Sequence, residues 1–220
     1  MELTIELAGH FITFEGGEGA GKSTQIRRLA EKLAAAGQSV VVTREPGGTD
    51  LAEAIRAFIL SGSAEALGPE AETMLFAAAR ADHVDRVIRP ALAKGDWVLC
   101  DRFIDSTRAY QGSDGVGAHL LDTLEKIAIG PVRPELTLIL DLPVEIGLER
   151  ANRRRSPTEE GADRFERETV ERHRRRRELF LAIAAREPER CVVIDANQDP
   201  DMVADAIWQS VRQRLTENVN

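Results

Sequence analysis

Five short apolar runs, separated by longer helical patterns, constrain the fold of this chain more than any other feature. Their apolar side chains are nearly continuous, as expected for strands that are buried on both faces of a parallel sheet. The runs lie at 11–14, 39–43, 96–101, 136–141 and 191–195. Helical patterns lie at 22–36, 50–60, 70–94, 119–128, 144–153, 164–186 and 201–215. This alternation predicts an α/β fold of three layers, with a parallel sheet between two layers of helices.

The length and composition limit the possible classes of protein. A chain of 220 residues fits one domain with a single core, so we expect one domain over 1–220. The formal net charge of −8 argues against a nucleic-acid partner, because that binding depends on a basic surface. Cys100 and Cys191 lie in apolar runs and are expected to be buried, reduced thiols, which indicates the cytoplasm. We expect no signal peptide, membrane span or metal-binding histidine, and we interpret the histidines as surface or packing residues.

A glycine-rich loop at 16–24, GGEGAGKST, follows the first predicted strand and opens a helix. Gly16-x-x-x-x-Gly21-Lys22-Ser23 matches the loop that binds the phosphates of a nucleoside triphosphate. Its glycines let backbone N–H groups turn toward an anion, and the helix N-terminus adds partial positive charge. We expect Lys22 to reach the β- and γ-phosphates and the Ser23 hydroxyl to ligate Mg²⁺. The acceptor stays open, since GTPases, ATPase motors and small-molecule kinases share this loop.

Three further segments bear on the acceptor. Asp101 and Arg102 end a predicted strand, where the ligand crevice of a doubly wound sheet lies, although such a pair is often a surface ion pair. Phe76 and Arg80 share one helical face and could stack on a base and read its edge, although a helical phenylalanine is usually core. The segment TREPGGT at 43–49 is a tight turn at the same edge, and a purely structural turn is the alternative.

Two charged segments have open interpretations. Residues 153–164, RRRSPTEEGADR, interrupt the pattern and could form a mobile lid or a solvated loop without a role. Residues 171–178, ERHRRRRE, could contact nucleic acid, but their acidic neighbours at i,i+3 and i,i+4 spacing favour a solvated helix face.

In combination, five motifs resemble the bacterial type of the thymidylate kinase family. They are FEGGEGAGKST, TREPGGT, MLFAAAR, DRFIDSTRAYQG and DRFERE, in this order, and the resemblance runs from residue 11 to about residue 212. It implies a P-loop NTPase fold with a five-stranded parallel sheet, an arginine-bearing lid and a homodimer. It also implies transfer of the γ-phosphoryl group of ATP, with Mg²⁺, to dTMP, which gives dTDP for dTTP biosynthesis.

The resemblance implies a role for each matching residue. It assigns ATP binding to Gly16, Gly17, Glu18, Gly19, Ala20, Gly21, Lys22, Ser23, Thr24 and, for stacking on adenine, Arg150. It assigns dTMP binding to Glu18, Glu45, Arg56, Phe76, Arg80, Arg102, Ser106, Tyr110 and Gln111. It assigns catalysis to Lys22, Asp101, Arg102, Arg153 and Arg164, and Mg²⁺ binding to Ser23 and Asp101.

Several of these roles are specific. Glu18 is expected near the 3′-hydroxyl of dTMP, Arg56 at its phosphate and Phe76 stacked on thymine. Arg80 would read the base edge, and Tyr110 would crowd a 2′-hydroxyl. The family uses a lid arginine when the phosphate loop has none, as here, and DANQ at 195–198 resembles its adenine-side loop.

One departure and three alternatives stay open at this point. Phe103 stands where the family usually has tyrosine or histidine, so it keeps a ring without the polar group. The alternatives are a kinase of the same fold for another base, an ATP-binding sensor without transfer, and a nucleic-acid-binding ATPase. The Phe76–Arg80 pair argues against the first of these, the presence of Lys22 and Asp101 against the second, and the net charge against the third.

Overall fold

Five parallel strands form the centre of the part of the chain that the computed structural model describes, residues 9–154, 165 and 168–216. They are β1 Phe11–Glu15, β2 Val40–Arg44, β3 Trp97–Asp101, β4 Leu136–Asp141 and β5 Cys191–Asp195. The strand order is β2-β3-β1-β4-β5, and every pairing is parallel. The predicted five-stranded parallel sheet is confirmed. Since β1 and β3 are neighbours, the loops that follow them leave the same edge of the sheet side by side.

Helices connect and cover these strands. They are α1 Lys22–Ala35, α2 Asp50–Leu60, α3 Pro69–His83, α4 Arg89–Ala93, α5 Ile104–Ser113, α6 Ala118–Ile129, α7 Val144–Arg154, α8 Val170–Arg186 and α9 Pro200–Val211. A 3₁₀ turn covers Ser63–Leu67, and π-helical turns cover Val84–Ile88 and Arg212–Thr216. None of the helices in the described ranges is long and apolar enough to cross a membrane.

The helices differ from the sequence-based prediction in four places. The helix predicted over 70–94 is divided into α3 and α4 by a π-helical turn, and the helix predicted over 201–215 is α9 followed by a π-helical turn. In the described part of the pattern over 164–186, α8 begins at Val170, where the Thr169 side chain caps the helix by accepting from Arg172 N. The helix α5 was not predicted, because its sequence is mostly polar and its first turn has no side-chain cap of its own.

Apolar side chains alternate between the two faces of the sheet. On one face, Ile12, Phe14 and Leu99 pack with residues of α1 and α9. On the other, Phe11 and Val98 pack with residues of the π-helical turn, α4 and α6. This double burial fixes the strands, and thereby the position of the loops at their carboxyl ends.

Both cysteines are buried and free. Burial raises the pKa of the Cys100 thiol and raises the pKa of Cys191 to about 12. Both thiols therefore stay protonated at neutral pH, and the expectation of reduced, structural cysteines is confirmed.

Candidate active site

The loop between β1 and α1 turns sharply at glycines. Gly16 and Gly19 have φ angles of 129° and 69°. A Cβ atom at these positions would lie 2.5 Å from Leu140 O and 2.0 Å from Gly147 O, respectively. The close approach of β4 and α7 to the loop therefore requires glycine at both positions.

Lys22 begins α1 and is buried in the mouth of this loop. Its Nζ donates to Gly16 O at 3.2 Å and to Gly17 O at 3.0 Å. Burial lowers the pKa of Lys22, as does Arg102, while Asp101 and Glu18 raise it. The ammonium group is thus held by two carbonyl oxygens that a phosphate could replace, at the positively polarised end of a helix.

Ser23 and Asp101 bring two oxygen atoms together beside the loop. Ser23 Oγ donates to Asp101 Oδ2 at 3.0 Å. Hydroxyl and carboxylate oxygens suit Mg²⁺, which is usually bound by one or two protein groups together with substrate phosphates and waters. Within the described ranges no group of three or more His, Cys, Asp or Glu side chains could hold a metal by itself. The residues present therefore fit a magnesium ion that arrives with a nucleotide.

Arg102 joins the end of β3 to the phosphate loop. Its Nη2 donates to Glu18 Oε1 at 2.7 Å, and its Nη1 donates to Gly16 O at 3.2 Å. Tyr110 donates its hydroxyl to the same Glu18 oxygen at 3.0 Å. Burial raises the pKa of Glu18, but Arg102, Lys22 and the Tyr110 hydroxyl outweigh it and lower that pKa to about 2. Glu18 is therefore ionised at neutral pH and orients both of its donors.

Glu15, the last residue of β1, supports this arrangement from within the core. Its Oε1 accepts from Phe103 N at 2.8 Å and from Ser106 N at 3.2 Å, and its Oε2 accepts from Ser106 Oγ at 2.6 Å. The carboxylate thus caps α5, which has no cap of its own. Burial and the nearby Asp105 raise the pKa of Glu15 to about 7.

The same network includes Arg102, whose φ of 69° is uncommon for a residue other than glycine. Ser106 Oγ gives its proton to Glu15 and accepts from Arg102 Nη1 at 3.1 Å. In this structure Ser106 therefore orients Arg102, and a contact of Ser106 with base or sugar stays a prediction. The sequence reading missed Glu15, although an acidic residue that ends a buried strand is a signal for such a role.

A cleft of about 170 Å³ opens beside the phosphate loop. It brings together all nine residues to which the resemblance assigns dTMP binding. Its lining includes Glu18, Glu45, Arg56, Phe76, Arg80, Asp101, Arg102, Ser106, Tyr110 and Gln111. Arg44, Thr107 and Phe165 also line it and were not predicted as site residues. Phe165 and Tyr110 pack edge to face, with ring centroids 5.6 Å apart.

Arg80 is fixed in the wall of this cleft and is only 4% exposed. Its Nε donates to Glu45 Oε2 at 2.6 Å, and its Nη2 donates to Phe103 O at 3.1 Å and to Thr107 Oγ1 at 3.0 Å. The Phe103 ring is buried in the core, and the Arg80 guanidinium lies 5.2 Å from its centroid. Its contacts are thus made by the ring, and they do not require the hydroxyl or imidazole nitrogen that the family usually has at this position. Thr107 could have been found from its place one helical turn after Phe103 in DRFIDSTRAYQG.

Gln111 is also buried in this wall, at 2% exposure, and its Nε2 has no hydrogen-bond partner among the described residues. A buried amide without a partner is costly, so it points to a ligand that completes the site. At the other end of the cleft, Arg56 Nη1 donates to Pro46 O at 2.9 Å.

Among the residues assigned to the lid and to adenine, Arg153 and Arg150 do not line the cleft. Arg153 is 76% exposed and donates to Glu149 Oε1 at 2.6 Å, away from the cleft, and Arg164 lies outside the described residues. Arg150 Nη1 donates to Ala196 O at 3.2 Å, which links α7 to the DANQ loop. The structure thus brings Arg150 to the expected adenine-side loop but does not bring Arg153 to the cleft.

The basic run on α8 is paired with acidic side chains of other elements. Arg172 pairs with Asp114, and Arg174 pairs with Glu145. These pairs agree with the solvated-face interpretation for the exposed arginines of 171–178. His173 and Arg176 are buried, however, and the Arg176 guanidinium lies 4.1 Å from the centroid of the Tyr110 ring, so the inner side of the run belongs to the core and not to a solvated face.

Comparison with known proteins identifies the family. The family model described as thymidylate kinase matches residues 14–207. This chain belongs to the thymidylate kinase family. The resemblance predicted from the motifs is thereby confirmed.

Relatives within the thymidylate kinase family match almost the whole chain. A thymidylate kinase of Rhodopseudomonas palustris is 61% identical over 217 residues, which cover 98% of this chain and 94% of the relative. A thymidylate kinase of Bradyrhizobium diazoefficiens is 59% identical over 208 residues, which cover 94% and 90%. The crystal structure of thymidylate kinase from Ehrlichia chaffeensis aligns with a TM-score of 0.74 at 34% identity and covers 92% of this chain and 98% of that one. The predicted P-loop NTPase fold is confirmed.

Proposed function

We propose that this protein is a nucleoside monophosphate kinase that transfers the γ-phosphoryl group of ATP to dTMP and yields dTDP, the precursor of dTTP. Membership of the thymidylate kinase family supports this function. The observation that carries it is the continuity of the site. The phosphate loop and the base-sized cleft share one wall, in which Arg102 donates to Glu18 across 2.7 Å.

In this proposal the cleft recognises thymine by shape and by its edge. Phe76 lies in the cleft as a stacking surface, and Arg80 presents a guanidinium, which has only donors and therefore suits a carbonyl oxygen. The Gln111 amide can both donate to a carbonyl and accept from the ring N–H of thymine. Cytosine presents an amino group where thymine has a carbonyl oxygen. In the cleft this amino group would face the N–H donors of Arg80 and could not form a hydrogen bond with them.

Charge neutralisation and alignment would then drive the transfer. Two phosphate groups repel each other, and phosphoryl transfer depends mostly on positioning and on positive charge around the transferred group. Lys22 and Arg102 both donate to Gly16 O of the phosphate loop, and Gly17 O and Glu18 position them further. Ser23 and Asp101 would hold Mg²⁺, which would supply further positive charge at the phosphates.

We propose that dTMP lies with its phosphate toward Arg56 and its sugar between Glu18 and Tyr110. The Tyr110 hydroxyl is held by Glu18, so the ring has a fixed position from which it would exclude a 2′-hydroxyl. The carboxylate of Glu18 would accept from the 3′-hydroxyl. Deoxyribose would therefore be preferred over ribose.

The lid arginines Arg153 and Arg164 stay part of the proposal, as the groups that complete the charge around the transferred phosphoryl. Arg153 pairs with Glu149 at the surface. An exposed pair of this kind contributes only about 0–1 kcal/mol, so leaving it for the nucleotide would cost little.

We also propose a cytoplasmic homodimer. Leu51 and Phe58 lie seven residues apart on α2, on one side of the helix, and are 54% and 42% exposed. Met74 on α3, which packs against α2, is 49% exposed as well. Apolar side chains of this size, exposed on two packed helices, suit burial against a second copy.

The test of the reaction is ADP release with ATP, Mg²⁺ and, in turn, dTMP, dUMP, dCMP, dGMP, AMP and UMP. We expect a strong preference for dTMP, with dUMP second, because thymine and uracil differ by one methyl group, worth about 1–3 kcal/mol. Preference for another monophosphate would leave the family fold intact and disprove the acceptor assignment. ADP release that does not depend on any of them would support an ATPase instead.

A further inference from the structure

His83 is a completely buried side chain, 0% exposed, that the proposed mechanism does not use. It ends α3, three residues after Arg80, so both side chains project from nearly the same face of the helix. From the sequence, His83 was interpreted as a surface or packing residue, and the structure shows that it is buried. One of its hydrogen bonds connects it to Glu45, which lines the cleft.

Both ring nitrogens of His83 are paired. Nδ1 lies 3.0 Å from Glu45 Oε1, and Nε2 lies 2.7 Å from Thr43 Oγ1. A carboxylate oxygen only accepts, so Nδ1 carries the proton in the first bond. The other oxygen of Glu45 accepts from Arg80 Nε at 2.6 Å. Glu45 is therefore held between a histidine and the arginine that lines the cleft.

The backbone of the Glu45 loop also depends on the His83 ring. A Cβ atom at Gly48 would lie 2.6 Å from His83 Nε2 and 2.8 Å from Thr43 Oγ1. The loop thus packs directly on the His83–Thr43 hydrogen bond. The same loop accepts from Arg56 through Pro46 O. One buried ring accordingly supports the contacts at both ends of the cleft.

We propose that His83 is a positioning residue for acceptor selectivity, which fixes Glu45 and, through it, the Arg80 guanidinium at the base edge. The inference rests on the proposed function, since it concerns the base that the cleft accepts. Without the His83 donor, one buried oxygen of Glu45 loses its partner, and the carboxylate reorients to regain one. Arg80 then loses the fixed partner of its Nε and keeps only the bonds of its Nη2 to Phe103 O and Thr107 Oγ1, so it is held less firmly and discriminates less between a carbonyl oxygen and an amino group.

The test compares His83→Leu, His83→Asn and the native protein by steady-state kinetics with dTMP, dCMP and ATP. Leucine removes both hydrogen bonds, while asparagine keeps an N–H group near the position of Nδ1. We expect His83→Leu to raise KM for dTMP about tenfold and to lower the ratio of kcat/KM for dTMP over dCMP about tenfold, the factor for one buried hydrogen bond. KM for ATP should change by less than about twofold. His83→Asn should recover most of the selectivity, and His119→Leu, at an exposed histidine of α6, is the matched control.

Two results would overturn the proposal. One is a folded His83→Leu protein with native selectivity, and the other is an equal rise of KM for ATP and dTMP, which would indicate a general packing role. If His83→Leu does not fold, the selectivities of His83→Asn and His83→Gln are compared to test the proposal. Asparagine replaces Nδ1 and should preserve selectivity better than glutamine, which replaces Nε2, and equal selectivity would refute the role of the Glu45 contact. A native protein without activity on dTMP would instead disprove the proposed function.

Discussion

Arg102 and Glu18 form a hydrogen-bonded ion pair of 2.7 Å that joins the end of β3 to the phosphate loop. The Tyr110 hydroxyl donates to the same carboxylate oxygen. In the proposed mechanism Arg102 supplies positive charge at the phosphates, while Glu18 and Tyr110 contact the sugar of dTMP. One carboxylate therefore keeps the donor and acceptor sides of the site in a fixed relation, and a change at Glu18 should affect both.

We predict that Lys22→Ala lowers turnover on the order of a thousandfold while the fold is kept. Lys22 Nζ contacts two carbonyl oxygens of the loop, and its loss removes a preorganised positive charge at the phosphates. Steady-state ADP release and thermal unfolding test this. Lys32→Ala, an exposed lysine on the same helix, should keep nearly native turnover. A folded Lys22→Ala protein with a near-native rate would contradict the role of this lysine.

We predict a pH-dependent stability contribution from Glu18. Its pKa in the folded protein is about 2, below the ordinary value of 4.5, so ionised Glu18 stabilises the fold above about pH 4.5, and this contribution is lost as the pH falls toward 2. Glu18→Gln should lower the free energy of unfolding by up to about 3 kcal/mol at pH 7. The difference from the native protein should shrink between pH 4.5 and 2.

Urea unfolding of both proteins at several pH values measures this difference directly. Glu31→Gln, at an exposed position of α1, is the control and should give a small difference at every pH. A difference for Glu18→Gln that stays constant down to pH 2 would show that its charge is not what stabilises the site.

We predict that Asp101→Asn raises the Mg²⁺ concentration for half-maximal activity by about tenfold or more. An amide oxygen is a weaker ligand than a carboxylate for a hard cation, so the pair of Ser23 and residue 101 would lose its one negative charge and bind Mg²⁺ less tightly. Activity as a function of free Mg²⁺ at saturating ATP and dTMP measures the effect. Asp122→Asn, at an exposed position of α6, should leave the curve unchanged. An unchanged curve for Asp101→Asn would remove Asp101 from the proposed metal site.

We predict that Phe58→Glu disrupts the proposed homodimer. A carboxylate in an apolar interface is strongly unfavourable unless it is paired. Sedimentation should show a dimer for the native protein and a monomer for the variant. Met202→Glu, an equally drastic change at an exposed position of α9, should stay dimeric. A native protein that is monomeric at micromolar concentration would disprove the dimer itself.

The local parts of the fold could be predicted from the sequence. The strands follow from apolar runs, and the phosphate loop follows from glycine spacing between a strand and a helix, because these depend on residues that are close together in the chain. The helix α5 could not be predicted in this way. Its cap is Glu15, which is 88 residues away from Phe103, whose N–H it accepts.

The sequence by itself determined the sheet, the phosphate loop and, through its motifs, the family. The tertiary structure alone decided how the side chains pair: Ser106 with Glu15 and Arg102, and His83 with Glu45. The physical reason is that a buried polar group must find a partner wherever the fold brings one, and the parallel sheet brings together residues from distant strands and helices. Residue types and spacing therefore identify the groups of this site, while burial decides which of them contact each other.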